Sequence, residues 1–95
     1  MKLVILPQAS LELQEAVEYY EAEQSGLGER LWDEFDQHLG WILENFALPR
    51  LRSGDHRRVN LKVFPHYIAY AVRGEAIVIL AISHSARKPD HWVGR

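Results

Sequence analysis

The sequence predicts an α+β domain of two layers, a helical hairpin lying on an antiparallel sheet in the order β-α-α-β-β-β. Two runs between residues 8 and 46 carry apolar side chains at three- and four-residue steps, the period of an amphipathic helix. Between them Ser25-Gly26-Leu27-Gly28 breaks the pattern as a tight helix–helix turn does. From Arg57 to Ile82 the chain turns to β-type runs separated by Pro and Gly. A helical hairpin must bury its apolar stripe against a sheet face, which fixes the layered architecture. At 95 residues the chain makes one domain, 1–95, since two cores would each be too small to fold alone.

The elements follow in order. Lys2 to Leu6 is a short apolar run stopped by Pro7, read as a first strand. From Gln8 to Glu23 the stripe is Ala9, Leu13, Ala16, Val17 and Tyr20, with Glu12, Glu15 and Glu18 off that face and expected in solvent. The second stripe is Leu31, Phe35, Leu39, Ile42 and Phe46, with Trp32 and Leu43 widening it. Gly40 costs this helix about 1 kcal/mol relative to alanine, a cost that a close helix crossing would explain. The helix ends before Pro49, and residues 50–56 are polar and turn-like.

Arg57 to Phe64 alternates, with Val59, Leu61 and Val63 on one side and Arg58, Asn60 and Lys62 on the other. Pro65-His66 is read as a turn, Tyr67 to Val72 as a strand, and Arg73-Gly74-Glu75 as a hairpin connection. Ala76 to Ile82 is almost wholly apolar, as in a strand covered on both faces. Beyond it the tail is polar around Trp92, with Pro89 placed to open a last helical turn.

Charge divides the chain. Residues 1–49 hold two Lys or Arg against ten Asp or Glu, and residues 50–95 hold nine against three, so a net −2 conceals halves of −8 and +6. Such a split presents two faces to different partners, or two solvated faces of complementary sign. With no cysteine, disulfides and thiolate chemistry are excluded. The start MKLVILPQAS is too short for a secretory core, and no apolar run reaches the roughly 20 residues of a membrane span, so a cytoplasmic protein is expected.

Among candidate sites, the five histidines show no close ligand spacing, so neither metal nor cofactor is expected. Ser83-His84-Ser85 lacks the orienting acid of a triad, and neighbours on a strand point to opposite faces. Trp32 and Trp41 read as core or groove-lining residues, and Tyr67 and Tyr70 as sheet packing. Trp92, three residues from the end, would fray unless it docks; it either closes the open side of the core or serves as a hot spot for a partner, flanked by Arg87 and Arg95.

Three features together carry a resemblance: the helical hairpin closing at Leu48-Pro49, the run RVNLKVFPHYIAY from Arg58 to Tyr70, and the apolar strand entering ILAISHSARKPDHWVGR. In this order they resemble the RelE/ParE toxin superfamily, above all its ParE-like branch. The tail reproduces the pattern His-x-x-Arg-x-Pro-x-x-Trp-x-x-Arg at His84, Arg87, Pro89, Trp92 and Arg95, while His66 stands where an aromatic residue is common. The resemblance implies the toxin of a type II toxin–antitoxin, plasmid stabilisation-like system, bound by a cognate antitoxin as a hetero-oligomer and inhibiting growth.

Two activities are known in that superfamily, mRNA cleavage on the ribosome in RelE-like members and poisoning of DNA gyrase in ParE-like ones. Metal-free RNA cleavage needs a base, an acid and cations at the phosphate. Carried over from the RelE-like pattern, Arg58 and Arg87 keep cationic positions, Asn60 replaces a lysine, and Tyr67 replaces an arginine. The terminal tyrosine falls near Trp92 or Val93, neither of which exchanges protons, leaving His84 as acid or base. The expectation is therefore binding rather than catalysis. The candidate contacts to target or antitoxin are Arg58, Lys62, Tyr67, Arg73, His84, Arg87, Trp92 and Arg95. The competing readings are a ribosome-dependent endoribonuclease using Arg58, His84 and Arg87, and an antitoxin-binding module without toxicity.

Overall fold

The computed structural model describes residues 1–88 and 91–95. Its elements are β1 (Lys2–Ile5), α1 (Pro7–Glu23), α2 (Leu27–Asn45), β2 (Arg57–Asn60), β3 (His66–Arg73) and β4 (Ala76–His84), in the expected order. The sheet runs β1-β4-β3-β2. The β2–β3 and β3–β4 pairs are antiparallel, but β1 lies parallel to β4, with Lys2 beside Ala76 and Ile5 beside Ile79. The sheet is thus mixed where an antiparallel one was expected. A parallel pair needs a long crossover, and the helical hairpin with the strands after it supplies one.

The helices lie on one face of the sheet. Ala9 and Leu13 of α1 and Leu31, Phe35, Leu39 and Ile42 of α2 pack on Ile68, Tyr70, Ile77, Ile79 and Ile82. Trp32 and Leu43 do not widen the α2 stripe; both face solvent. The close helix crossing falls at Gly28 and not at Gly40. A Cβ on Gly28 would sit 2.5 Å from the Val17 carbonyl oxygen, whereas one on Gly40 meets open space. At the same corner the Glu21 carboxylate accepts the backbone N–H groups of Gly26 and Gly28 at 2.9–3.1 Å, satisfying donors that the start of α2 leaves free.

β2 ends at Asn60, four residues before the alternation predicts. The cause is Glu34 on α2, whose carboxylate accepts the backbone N–H groups of Lys62, Val63 and Phe64 at 2.9–3.3 Å. These donors leave the strand ladder for a side chain, Phe64 turns into the core, and Val63 is left exposed. Burial opposes charge on Glu34, but the three N–H donors outweigh it and hold the carboxyl below the usual range.

β3 begins one residue earlier than predicted, because buried His66 pairs with His84 across the sheet. The β3–β4 connection is a two-residue loop, Gly74-Glu75, with Gly74 at φ 60°, the left-handed first position of a type II′ hairpin. In β4 the register slips between the Ala69–Ala81 and Tyr70–Ile79 pairs, so Leu80 is an extra residue. Leu80 and Ala81 consequently both face away from the helices, where they join Tyr67, Ala69, Ala71, Val78 and Trp92 in a second core. No helix among the described residues is long and apolar enough to cross a membrane.

Candidate functional site: the C-terminal tail and the helix-free sheet face

The face of the sheet opposite the helices is closed by the tail. Trp92 is 3% exposed, its indole N–H donates to the Tyr67 hydroxyl at 3.0 Å, and its ring meets the His56 ring edge-on at 4.5 Å. Of the two roles open to Trp92, its placement is that of a core residue. The Tyr67 ring also carries the Arg58 guanidinium 4.0 Å above it, a cation–π contact that fixes the arginine against the sheet. The expected helical turn at Pro89 lies outside the described residues.

Two arginines hold the tail in place. Arg73, on the β3–β4 hairpin, donates from both terminal nitrogens to the Arg95 carbonyl at 3.3 Å. Arg95 donates to the Glu12 carboxylate at 2.9 Å and to the Leu80 carbonyl at 3.1 Å. Glu12 also accepts the Ile82 N–H at 3.1 Å and meets His91 at 3.3 Å. This cluster sits where β1 has ended and β4 continues with an open edge, whose unpaired groups need partners. The Glu12–Arg95 pair supplies them in place of a missing strand. Glu12 is therefore largely buried rather than solvated, whereas Glu15 and Glu18 are exposed as predicted.

His84 and Arg87 lie on the other side of the sheet. They line a cavity of about 420 Å³ with Glu12, Glu15, Tyr20 and His66. The His66 and His84 rings are 5.1 Å apart. Burial, and then the neighbouring His84, push the His66 pKa down and favour its neutral form. Nδ1 of His84 accepts the Ala86 N–H at 3.0 Å. Arg58 pairs with Ala69, of the helix-free core, and His84 pairs with His66 on the helix side. The three residues of the endoribonuclease reading thus do not converge: Arg58 is separated from His84 and Arg87 by the sheet.

Lys62 is exposed beside α2, lining another cavity, of about 340 Å³, with Gln37, His38, Trp41, Val59 and Asn60. Trp41 is thus groove-lining, while Trp32 stands free on the outer side of α2.

Sequence reasoning missed the segment before β2. Arg52 and His56 bridge each other, with the Arg52 N–H donating to the His56 carbonyl at 2.7 Å, so residues 52–56 form a tight loop. Arg50, Arg52, His56 and Arg58 line a cavity of about 530 Å³ against Trp92. The signal was present in RLRSGDHRR, which places four arginines in nine residues, but a turn-like composition hides a cluster that only the loop's closure creates.

Comparison with known proteins places this arrangement. No curated protein matches the chain. A solved structure described as the chromosomal ParDE TA system from P. aeruginosa superposes with a TM-score of 0.74 at 19% identity, over 88% of this chain and 95% of that one, which shows a shared fold. The sequence model of the family described as ParE toxin of type II toxin-antitoxin system, parDE, matches residues 3–89. The chain belongs to the ParE toxin family.

Proposed function

We propose that the protein is the toxin of a cytoplasmic type II toxin–antitoxin pair, of the plasmid stabilisation kind, neutralised by a cognate antitoxin and arresting growth by binding a cellular target such as DNA gyrase. Within a ParE family chain, the observation that carries the binding reading is the separation of Arg58 from His84 and Arg87 by the sheet. A nuclease needs its base and its phosphate-binding cations at one phosphate. The antitoxin's place is the groove between α2 and the β2 edge, where Trp41 and Val63 are exposed and Lys62 stands ready for an acidic side chain. Aromatic residues beside a cation suit an amphipathic acidic segment. The tail contacts Arg73 and Arg95 serve the fold, and act on partners through the surface they hold in place.

The test is induction of the gene with and without its genomic neighbour. Growth arrest relieved by the neighbour, with a DNA-damage response and trapped gyrase–DNA complexes, is the expected result. Messenger RNA fragments without gyrase complexes would replace this reading with the endoribonuclease one. The absence of any arrest would leave an antitoxin-binding module.

A further inference from the structure

The cavity at Arg50, Arg52, Arg58 and His56 is a second site, independent of the target-binding reading. Four observations converge on it. Three guanidinium groups line one cavity of about 530 Å³, a volume within the range of small-molecule sites. Among the described residues none of them has a carboxylate partner; both side-chain ion pairs go to Glu12, and Asp55 in the same loop pairs with none. Arg58 Nε and His56 Nδ1 are buried without a hydrogen-bond partner. Finally, Arg52 is depressed from its usual pKa by burial and then by Arg58 and Arg50, with Tyr67 opposing them, so these positive charges feel one another. Like charges are held together at a cost, and a loop closed at Arg52–His56 keeps them there.

We propose that this cavity binds a phosphate monoester, the terminal phosphate of a nucleotide or of a 5′-phosphorylated strand. A dianion with three terminal oxygens offers acceptors to three guanidinium forks, whereas one carboxylate offers two oxygens and a single charge. His56 is held toward its neutral form by burial and by Arg52 and Arg58, so it forms part of the wall and adds no charge. Leu51 and Val93 are exposed at the cavity mouth, giving apolar ground for the attached nucleoside.

The experiment titrates the purified full chain with adenosine 5′-monophosphate, and with a 3′-labelled tetranucleotide carrying either a 5′-phosphate or a 5′-hydroxyl. A tetraglutamate peptide is the carboxylate probe. The 5′-phosphate should improve binding at least tenfold over the 5′-hydroxyl, and the peptide should bind at least tenfold more weakly than the phosphates. Arg52→Gln should lose tenfold or more, and exposed Arg50→Gln several-fold with an unchanged melting temperature. Lys2→Gln, at the far end of β1, should change nothing. Equal affinity of the mononucleotide and the phosphorylated strand assigns the site to free nucleotides; a much tighter strand assigns it to strand ends. Either supports phosphate binding. Indifference to the 5′-phosphate, equal binding of the peptide, or full retention in both arginine variants would overturn it.

Discussion

Replacing Trp92 by alanine removes the largest side chain of the helix-free core. Trp92 is 3% exposed and covers the face built from Tyr67, Ala69, Ala71, Val78, Leu80 and Ala81. Buried Trp→Ala changes cost about 3–5 kcal/mol, with about 1 kcal/mol of that range here attributable to the lost bond to the Tyr67 hydroxyl. A loss of about 4 kcal/mol is a large share of the 5–15 kcal/mol that holds a domain together. For a chain of this length it corresponds to a melting temperature about 15–30 °C lower. Thermal unfolding followed by far-UV circular dichroism measures this directly. Trp92→Phe keeps an apolar ring but not the N–H, so its deficit should be about 1–2 kcal/mol. If Trp92→Ala melts within about 3 °C of the parent, less than 1 kcal/mol by the same scaling, the packing argument fails. The residue would then belong to a partner's interface instead.

Four further substitutions test other parts of the fold. Gly28→Ala should destabilise the helical hairpin by about 1–3 kcal/mol, because its Cβ meets the Val17 backbone oxygen. Gly40→Ala, in open space within α2, should stabilise by up to about 1 kcal/mol; denaturant midpoints compare the two. The Glu34 carboxyl is lowered in the folded state, so its contribution is complete above the unfolded carboxyl pKa and disappears as pH falls through the lower folded value. Urea unfolding between pH 6 and 3 should accordingly show an acid loss that Glu34→Gln diminishes, and an acid loss of the same size in the variant would refute the role given to Glu34. Glu12→Gln weakens the holds on Arg95, His91 and the Ile82 N–H together. Hydrogen exchange should quicken in residues 91–95 and at Ile82 while α2 keeps its protection.

Local signals foretold the elements and missed what joins them. The α2 stripe from Leu31 to Ile42 repeats within a single helix, and Gly74 marks its own hairpin, so both were legible. Glu12 was not. On a helical wheel it lies off the apolar stripe, and the arginine that buries it is 83 residues away. The early end of β2 has the same origin, since Glu34 reaches it across 28–30 residues. The helical pattern of α2 and the alternation after Arg57 each read correctly by themselves, but neither carries the other's hydrogen bonds. At the site, the tail residues were recognisable as a group, yet their division into fold-keeping (Trp92, Arg95) and accessible (His84, Arg87) follows from the faces and the open edge of the sheet. Those faces depend on a register that includes an unannounced extra residue, Leu80.

The parallel pairing of β1 with β4 governs when the protein can exist during its synthesis. The first strand has no partner until Ala76–Ile79 has been made, and Glu12 waits longer still for Arg95. At about 5–20 residues per second, a nascent chain spends several seconds with its acidic helices made and its sheet unbuilt. Contacts this distant in sequence slow folding and tie it to synthesis of the last strand and the residues after it. A message cut short before the last strand therefore yields no weakened toxin. It yields a helical fragment with an uncovered apolar face, suited to proteolysis.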